Sequence, residues 1–163
     1  EVCEDFDYHA VRALRRQIME AYIDENGVEA KAGLLPMLRE LKQMGLRIGL
    51  ATATPEARAR KYLRMVGAEA AFDAVACAEM VAHGKPAPDV YLLAARKLEL
   101  PPRVLLGVED SPSGVQSAHA AGMMGAMVPD QDQPSAEIAA LCALVAPSLA
   151  GIAPFVKESL RRL

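Results

Sequence analysis

The sequence predicts an α/β protein whose parallel β-sheet is covered by helices on both faces. Short apolar segments alternate with longer amphipathic segments along most of the chain, which is typical of successive β–α–β units. The apolar segments lack the polar alternation of half-exposed strands, as expected for strands that are buried on both faces. With 163 residues, the chain has the length of one ordinary domain, which spans ~100–200 residues.

The first predicted helix covers residues 7–25. Its apolar residues recur at intervals of three and four positions and are Val11, Leu14, Ile18 and Tyr22. Asp5 or Asp7 is expected to cap this helix, and Gly27 to end it. Because the helix precedes the alternation of strands and helices, residues 1–30 are assigned to a separate helical piece.

The remaining elements are bounded by glycine and proline, which punctuate regular structure. The further predicted helices cover residues 34–44, 55–66, 89–98, 112–121, 135–144 and 148–163. The predicted strands cover residues 46–52, 73–78, 103–108, 125–128 and 144–146. Met123, Met124 and Met127 are expected to fill gaps in the core.

Composition and charge exclude several classes of function. The 18 basic and 21 acidic residues give a net charge of −3, and the basic residues are dispersed, which argues against a nucleic-acid partner. The longest apolar run covers residues 138–146, whereas a membrane-spanning helix needs ~20 apolar residues. We therefore expect neither a nucleic-acid nor a membrane partner. For the oligomeric state, which these features do not decide, the expectation is a monomer or weak dimer.

The cysteines and the first residues of the sequence indicate the cellular compartment of the protein. Cys3, Cys77 and Cys142 are far apart and do not form a metal-binding spacing, which favours free thiols in a reducing environment. The opening residues are acidic and polar, unlike a signal or transit peptide. These features predict a cytoplasmic protein.

Polar residues follow three of the predicted strands. Thr52 and Thr54 come at the end of the first strand, Lys85 lies in the loop after the second, and Glu109 and Asp110 end the third. Ligands of parallel sheets bind beyond the carboxyl ends of the strands, so these residues are expected to converge on one edge.

Each of these residues also has a simpler explanation. Thr52 or Thr54 could cap the helix that follows, and Lys85 could be a solvated loop residue. Asp110 or Ser111 could cap the next helix.

Taken together, the residues favour phosphoryl chemistry. Two adjacent carboxylates after a buried strand are costly unless something offsets their repulsion, and Mg²⁺ does so with one or two carboxylates plus a substrate phosphate. A threonine hydroxyl and backbone amides bind phosphate oxygens, and a lysine offsets their charge.

Three motifs carry a family resemblance. They are Gly49-Leu-Ala-Thr-Ala-Thr54, Gly84-Lys-Pro-Ala-Pro-Asp89, and Glu109-Asp-Ser-Pro-Ser-Gly114 followed by Ala120-Ala-Gly-Met123. In order and spacing they resemble successive motifs of the haloacid dehalogenase-like superfamily over residues 30–150. The most similar branch is that of the β-phosphoglucomutase-like phosphatases and mutases, which carry a helical cap.

This resemblance implies a fold and an activity. Residues 31–163 would form a three-layer, Rossmann-like core, and residues 1–30 the C-terminal part of the helical cap. The protein would be a Mg²⁺-dependent phosphatase that acts on a small phosphorylated metabolite, with sugar phosphates as one option, through an aspartyl-phosphate. A phosphomutase of the β-phosphoglucomutase type is the alternative within the branch.

The resemblance also implies residue roles. Thr52 would hydrogen-bond the phosphoryl group together with the amide of Ala53, and Lys85 would hold that group and the carboxylate of the nucleophile. Asp110, with Glu109 beside it, would bind the metal.

The family's first motif, an apolar strand ending in Asp-x-Asp-Gly, is not found in this sequence. Asp5-Phe-Asp7 has its spacing, but a helix follows at once, so helix capping is the preferred interpretation. In the family this strand lies between the strands that here end at Thr52 and Val108. We expect an N-terminal segment outside this sequence to supply the strand and the nucleophile. Without it, the chain would be an inactive phosphate-binding module.

Overall fold

The computed structural model describes residues 7–162. The helices are α1 (Tyr8–Asn26), α2 (Leu34–Gln43), α3 (Glu56–Met65), α4 (Asp89–Lys97), α5 (Pro112–Ala120), α6 (Ala136–Ala140) and α7 (Ile152–Leu160). The strands are β1 (Gly49–Thr52), β2 (Ala74–Cys77), β3 (Leu106–Glu109), β4 (Met124–Met127) and β5 (Cys142–Val145).

The strands pair in parallel and form two sheets. β1 pairs with β2, and Thr52 lies opposite Cys77. β3 pairs with β4 and β4 with β5, with one register shift between Gly125 and Ala126. Within residues 7–162, β1 and β3 do not pair with each other. The break between the two sheets therefore lies between β1 and β3, where the family resemblance places the strand that this sequence lacks.

The backbone of β1 and β3 offers polar groups at this interruption. The Ile48 carbonyl accepts a hydrogen bond on the side of β2, and the Glu109 carbonyl accepts one on the side of β4. Successive residues of a strand point their backbone groups to opposite edges. The carbonyls of Ala51 and Val108 therefore point to the edges that face away from β2 and β4.

Helices cover both faces of the sheets, which makes the three-layer α/β architecture expected from the sequence. On one face, α2 and α7 pack over a core of Met37, Leu38, Ala126, Val128 and Ile152. On the other face, α4 and α5 pack over Ala76, Val90, Tyr91, Ala118 and Met123.

Some predicted boundaries are wrong. The predicted helix over 135–144 ends at Ala140, and Cys142–Val145 form β5, because pairing with β4 outweighs the helical pattern of the sequence. β3 begins at Leu106 because the preceding residues form a 3₁₀ turn at Pro102–Val104. Met124 is about half exposed rather than a core residue, because it is the first residue of β4 and lies at the amino end of the strand.

Helix α1 lies on the surface. Asp7 caps it by accepting a hydrogen bond from the Ala10 amide at 2.9 Å, and Gly27 ends it at a φ of 78°, as predicted. Asp5 lies outside the described residues. Within residues 7–162, no helix is long and apolar enough to cross a membrane. The apolar stripe of α1 is solvent-exposed. The helix contacts α3 through the ion pairs Glu20–Arg58 and Asp24–Lys61.

Gly107 of β3 has no room for a side chain, which makes it a test of the packing between β3, α4 and α5. A Cβ there would lie 2.7 Å from Ala118 Cβ and 3.3 Å from Tyr91 Cε1. We expect Gly107→Ala to lower the free energy of unfolding by about 1–3 kcal/mol, measured by urea denaturation. Gly84→Ala, which meets open space, is the control and should change it by about 0.5 kcal/mol or less. Equal effects of the two substitutions would contradict this packing.

Asp73 joins α2 to the start of β1 and predicts a pH dependence of stability. Its two carboxylate oxygens each accept from Lys42 Nζ at 2.9 Å, and one accepts from the Ile48 amide at 2.7 Å. The Lys42 hydrogen bonds, followed by the Ile48 amide, lower the pKa of Asp73. A lowered pKa stabilises the folded state above the ordinary pKa of the carboxyl group, and this contribution is lost as the pH falls through the folded-state pKa.

We expect Asp73→Asn to lower the free energy of unfolding at about pH 7 by at most ~1 kcal/mol, since both side chains of the ion pair are 38% exposed. The difference from the wild type should shrink on going to about pH 3. Urea denaturation at both pH values checks this, with Asp132→Asn as the exposed control. A difference that grows on acidification would overturn the assignment.

Candidate functional site

The polar residues predicted from the sequence converge at the carboxyl ends of β1 and β3. Thr52 is the last residue of β1, Glu109 is the last residue of β3, and Asp110 follows it. The Lys85 ammonium connects the two strand ends. Its Nζ donates to the Ala51 carbonyl at 3.1 Å and to Glu109 Oε1 at 2.5 Å.

Lys85 and Glu109 form a buried ion pair. Their side chains are only 16% and 7% exposed. Removing two charges from water is costly. This cost is offset because the two charges attract each other and each forms a further hydrogen bond. A lysine ammonium has three N–H groups. Two of them donate to partners within residues 7–162, which leaves one for a bound anion.

The loop that carries Lys85 is fixed at two further points. The Asp89 carboxylate at the start of α4 accepts from the backbone amide of His83 at 3.2 Å. Ser117 of α5, fully buried, donates its hydroxyl to the Ala87 carbonyl at 2.6 Å. Both helices therefore hold the loop in the position that directs Lys85 between the strands.

Glu109 is held in place from two sides. The hydroxyl of Tyr91 on α4 donates to Glu109 Oε1. On the other side, Glu109 packs so closely against Gly114 of α5 that a Cβ on this glycine would overlap Oε2. Burial, and then the charge of Glu109, raises the pKa of Tyr91 far above its ordinary value, so the phenol stays protonated and donates.

Tyr91 is the site residue that sequence reasoning missed. It lies on the buried face of α4, and it is 6% exposed. A buried tyrosine needs a partner for its hydroxyl. A tyrosine two residues after Asp89 on a helix predicted to cover the sheet therefore indicated a hydrogen bond within the site. The identity of the partner depends on how α4 packs against β3.

Thr52 does not cap the following helix, so this alternative is wrong. The residue before α3 is Pro55, which makes no side-chain cap, and the first amide of α3 instead donates to Glu79. Thr52 Oγ1 accepts from the Thr54 amide at 3.0 Å. This bond turns the chain at the strand end and uses Oγ1 as an acceptor, so the O–H of Thr52 can still donate to a ligand. Ala53 is exposed at the same turn.

Asp110 does not cap a helix either. Ser111 is the cap of α5, and its hydroxyl accepts from the Gly114 amide at 3.2 Å. Asp110 is exposed, and within residues 7–162 it makes no hydrogen bond or ion pair. Its carboxylate is therefore available to a ligand.

The acidic residues of the site are few for a metal site formed by the protein alone. Across the part of the chain that the structure describes, no group of three His, Cys, Asp or Glu residues is close enough to hold a metal ion. Asp110 offers an exposed carboxylate, and the Glu109 carboxylate beside it is already bound by Lys85 and Tyr91. One open carboxylate with a second one nearby fits Mg²⁺, which takes one or two carboxylates from a protein and completes its coordination with phosphate and water.

Other candidates are engaged elsewhere. Arg58 pairs with Glu20, and Arg60 with Glu56 at 2.8 Å, so neither points into this site as an open anion contact. Cys77 ends β2 but is fully buried, and burial raises the pKa of its thiol. Since the thiolate is the nucleophilic form, Cys77 is not suited to attack a substrate.

The comparisons identify the family. The family model described as haloacid dehalogenase-like hydrolase matches residues 2–122. The chain belongs to this family. Hexitol phosphatase B of Escherichia coli is 38% identical over 121 residues, which cover 71% of this chain and 54% of that protein.

Solved structures of haloacid dehalogenase-like proteins have the same fold. The crystal structure of CbbY from Rhodobacter sphaeroides in complex with phosphate is 26% identical, with a TM-score of 0.75, over 90% of this chain and 66% of that one. A putative β-phosphoglucomutase from Thermotoga maritima is 29% identical, with a TM-score of 0.71, over 78% of this chain and 59% of that one. These matches agree with the β-phosphoglucomutase-like branch of the family. The chain spans about half the length of the curated relatives it matches.

Because Lys85 and Glu109 form a largely buried ion pair, substitutions of the two residues should have coupled effects on the free energy of unfolding. We expect Lys85→Met or Glu109→Gln alone to lower the free energy of unfolding by about 3–5 kcal/mol, because each leaves a buried partner uncompensated. In the double variant, the free energy of unfolding should fall by less than the sum of the two single losses, as measured by urea denaturation. The exposed pair Lys31–Asp130 supplies the control cycle, with Lys31→Met and Asp130→Asn and an expected coupling of at most ~1 kcal/mol. Additive effects at the buried pair would refute the coupling.

Proposed function

We propose that the protein carrying this chain is a phosphatase of small phosphorylated metabolites that uses Mg²⁺. The observation that carries the proposal is the Lys85 ammonium, which the Ala51 carbonyl and the Glu109 carboxylate hold at the carboxyl ends of two parallel strands. A fixed cation beside an uncommitted carboxylate suits a phosphoryl group and a metal ion.

The phosphoryl group would be bound by three groups of this chain. They are the remaining N–H of Lys85, the hydroxyl of Thr52 and the amide of Ala53. All three belong to the loop and the strand end that the Ala51–Lys85 bond brings together. Donors that are already in position need no reorganisation when charge develops on the phosphoryl oxygens.

Asp110 would hold the metal, with Glu109 beside it. The exposed position of Asp110 and its lack of partners within residues 7–162 support this role. When bound, Mg²⁺ offsets the negative charge of the phosphoryl oxygens. Glu109 accepts two hydrogen bonds at Oε1 and packs with Oε2 against Gly114, so its contribution would be the negative charge that it places beside Asp110.

The attacking group would come from outside the described residues. Asp7 caps α1, and the carboxylates of the site have the roles proposed above. In the proposed reaction, an aspartate oxygen bonds to phosphorus while the ester P–O bond breaks, and the leaving alkoxide takes up a proton from a general acid of the same segment outside this sequence. Water then hydrolyses the aspartyl-phosphate to phosphate and the free carboxylate. Residues 31–163 would form the core of this enzyme, and residues 1–30 part of its cap.

The relatives support phosphorylated carbohydrates as the substrate class. One is named hexitol phosphatase B, and another is named phosphorylated carbohydrates phosphatase. A phosphomutase would use the same site, with a second sugar hydroxyl in place of water as the acceptor.

Asp110→Asn tests the proposal in the natural protein that carries this chain. With Mg²⁺ and a panel of sugar phosphates, we expect the substitution to lower kcat by about a hundredfold or more, because the neutral amide offsets no metal charge. Released phosphate is measured together with the urea unfolding curve, which should stay close to that of the wild type. The exposed Asp132→Asn is the control and should retain full turnover.

The outcomes separate the candidate functions. Wild-type turnover in Asp110→Asn would contradict the metal role. Phosphate transfer to a second sugar hydroxyl would indicate a mutase. Phosphate binding without turnover in the natural protein would indicate the inactive phosphate-binding module.

A further inference from the structure

Tyr91 occupies the junction between the two sheets and the helices α4 and α5. It is on the first turn of α4 and is 6% exposed. Its ring packs on the backbone of Gly107, where a Cβ would lie 3.3 Å from Tyr91 Cε1. The absence of a side chain at Gly107 allows the ring to pass β3 and reach the last residue of the strand.

The Tyr91 hydroxyl completes the environment of Glu109. Glu109 Oε1 accepts both from Lys85 Nζ at 2.5 Å and from the Tyr91 hydroxyl. Since Gly107 and Glu109 are two residues apart on one strand, they project from the same face, toward α4 and α5. Gly114 limits movement of the carboxylate on its other side.

The Tyr91 ring also contacts the lysine. Lys85 Nζ lies 5.3 Å from the ring centroid, within the range of a cation–π interaction. One residue therefore contacts both members of the buried ion pair, through its hydroxyl and through its ring. The Ala51 carbonyl at 3.1 Å completes the partners of the ammonium within residues 7–162.

We propose that Tyr91 is a positioning residue: by holding Glu109 and supporting Lys85, it fixes the direction of the remaining Lys85 N–H toward the bound phosphate. The identity of the anion rests on the proposed function. Tyr91 does not contact the substrate itself and acts through Glu109 and Lys85.

Tyr91→Phe tests this role because it removes the hydroxyl and keeps the ring. We expect the affinity for orthophosphate, measured by calorimetry on the natural protein, to fall about tenfold, the effect of losing one hydrogen bond to a charged group. Tyr62→Phe is the matched control, since the Tyr62 hydroxyl is buried and has no partner within the described chain. Its phosphate affinity should equal that of the wild type.

A second readout follows the Lys85 ammonium directly. In protein labelled with ¹⁵N-lysine, a buried and hydrogen-bonded ammonium gives its own NMR signal, which is assigned by its loss in Lys85→Met. Tyr91→Phe should shift and broaden this signal in the absence of phosphate, and Tyr62→Phe should leave it unchanged. A Tyr91→Phe protein with lowered stability, an unchanged Lys85 signal and unchanged affinity would have lost only packing, which overturns the proposal.

The Glu109→Gln background shows whether Tyr91 acts through Glu109. In that background, Tyr91→Phe should weaken phosphate binding by less than twofold, because the carboxylate that it positions is already gone. A full tenfold loss there would contradict the proposal. If the wild type neither binds nor hydrolyses phosphate esters, the proposed function fails, and the Lys85 signal still decides whether Tyr91 positions the ammonium.

Discussion

The Lys85 ammonium is largely buried and therefore needs acceptors, and the two that it has within residues 7–162 connect the two sheets at the centre of the molecule. Its partners come from both sheets: the Ala51 carbonyl belongs to β1, and the Glu109 carboxylate to β3. Each acceptor is fixed in turn, Ala51 by strand pairing with β2 and Glu109 by Tyr91 and Gly114. The cost of burying the two charges is thus offset only in this arrangement of strands, loop and helices.

The packing around the ion pair involves two glycines and one serine that do not themselves contact Lys85. Gly107 leaves space for the Tyr91 ring, and Gly114 leaves space for the Glu109 carboxylate. Ser117 anchors the loop that carries Lys85 by bonding the Ala87 carbonyl. At Gly107 the close approach of Ala118 on α5 adds to the need for a small residue, and at Gly114 that need comes from Glu109 itself.

The sequence was sufficient for most of the fold and for the position of the site. Glycine and proline marked the ends of most elements, and the rule that ligands bind at the carboxyl ends of parallel strands brought Thr52, Lys85 and Glu109 to one edge. The contacts between them were not predictable, because Tyr91 reaches Glu109 only through the packing of α4 against β3. The boundary between α6 and β5 was missed for a similar reason, since pairing with β4 decided it.

Calorimetric titration of orthophosphate into the natural protein and its Lys85→Met variant, both in the presence of Mg²⁺, tests directly whether the Lys85 ammonium binds the anion. The exposed Lys157→Met serves as the control, and unfolding curves establish that each protein is folded at the assay temperature. We expect Lys85→Met to weaken phosphate binding by about a hundredfold and Lys157→Met to bind phosphate as the wild type does. Equal affinities of the wild type and a folded Lys85→Met protein would contradict this role of Lys85.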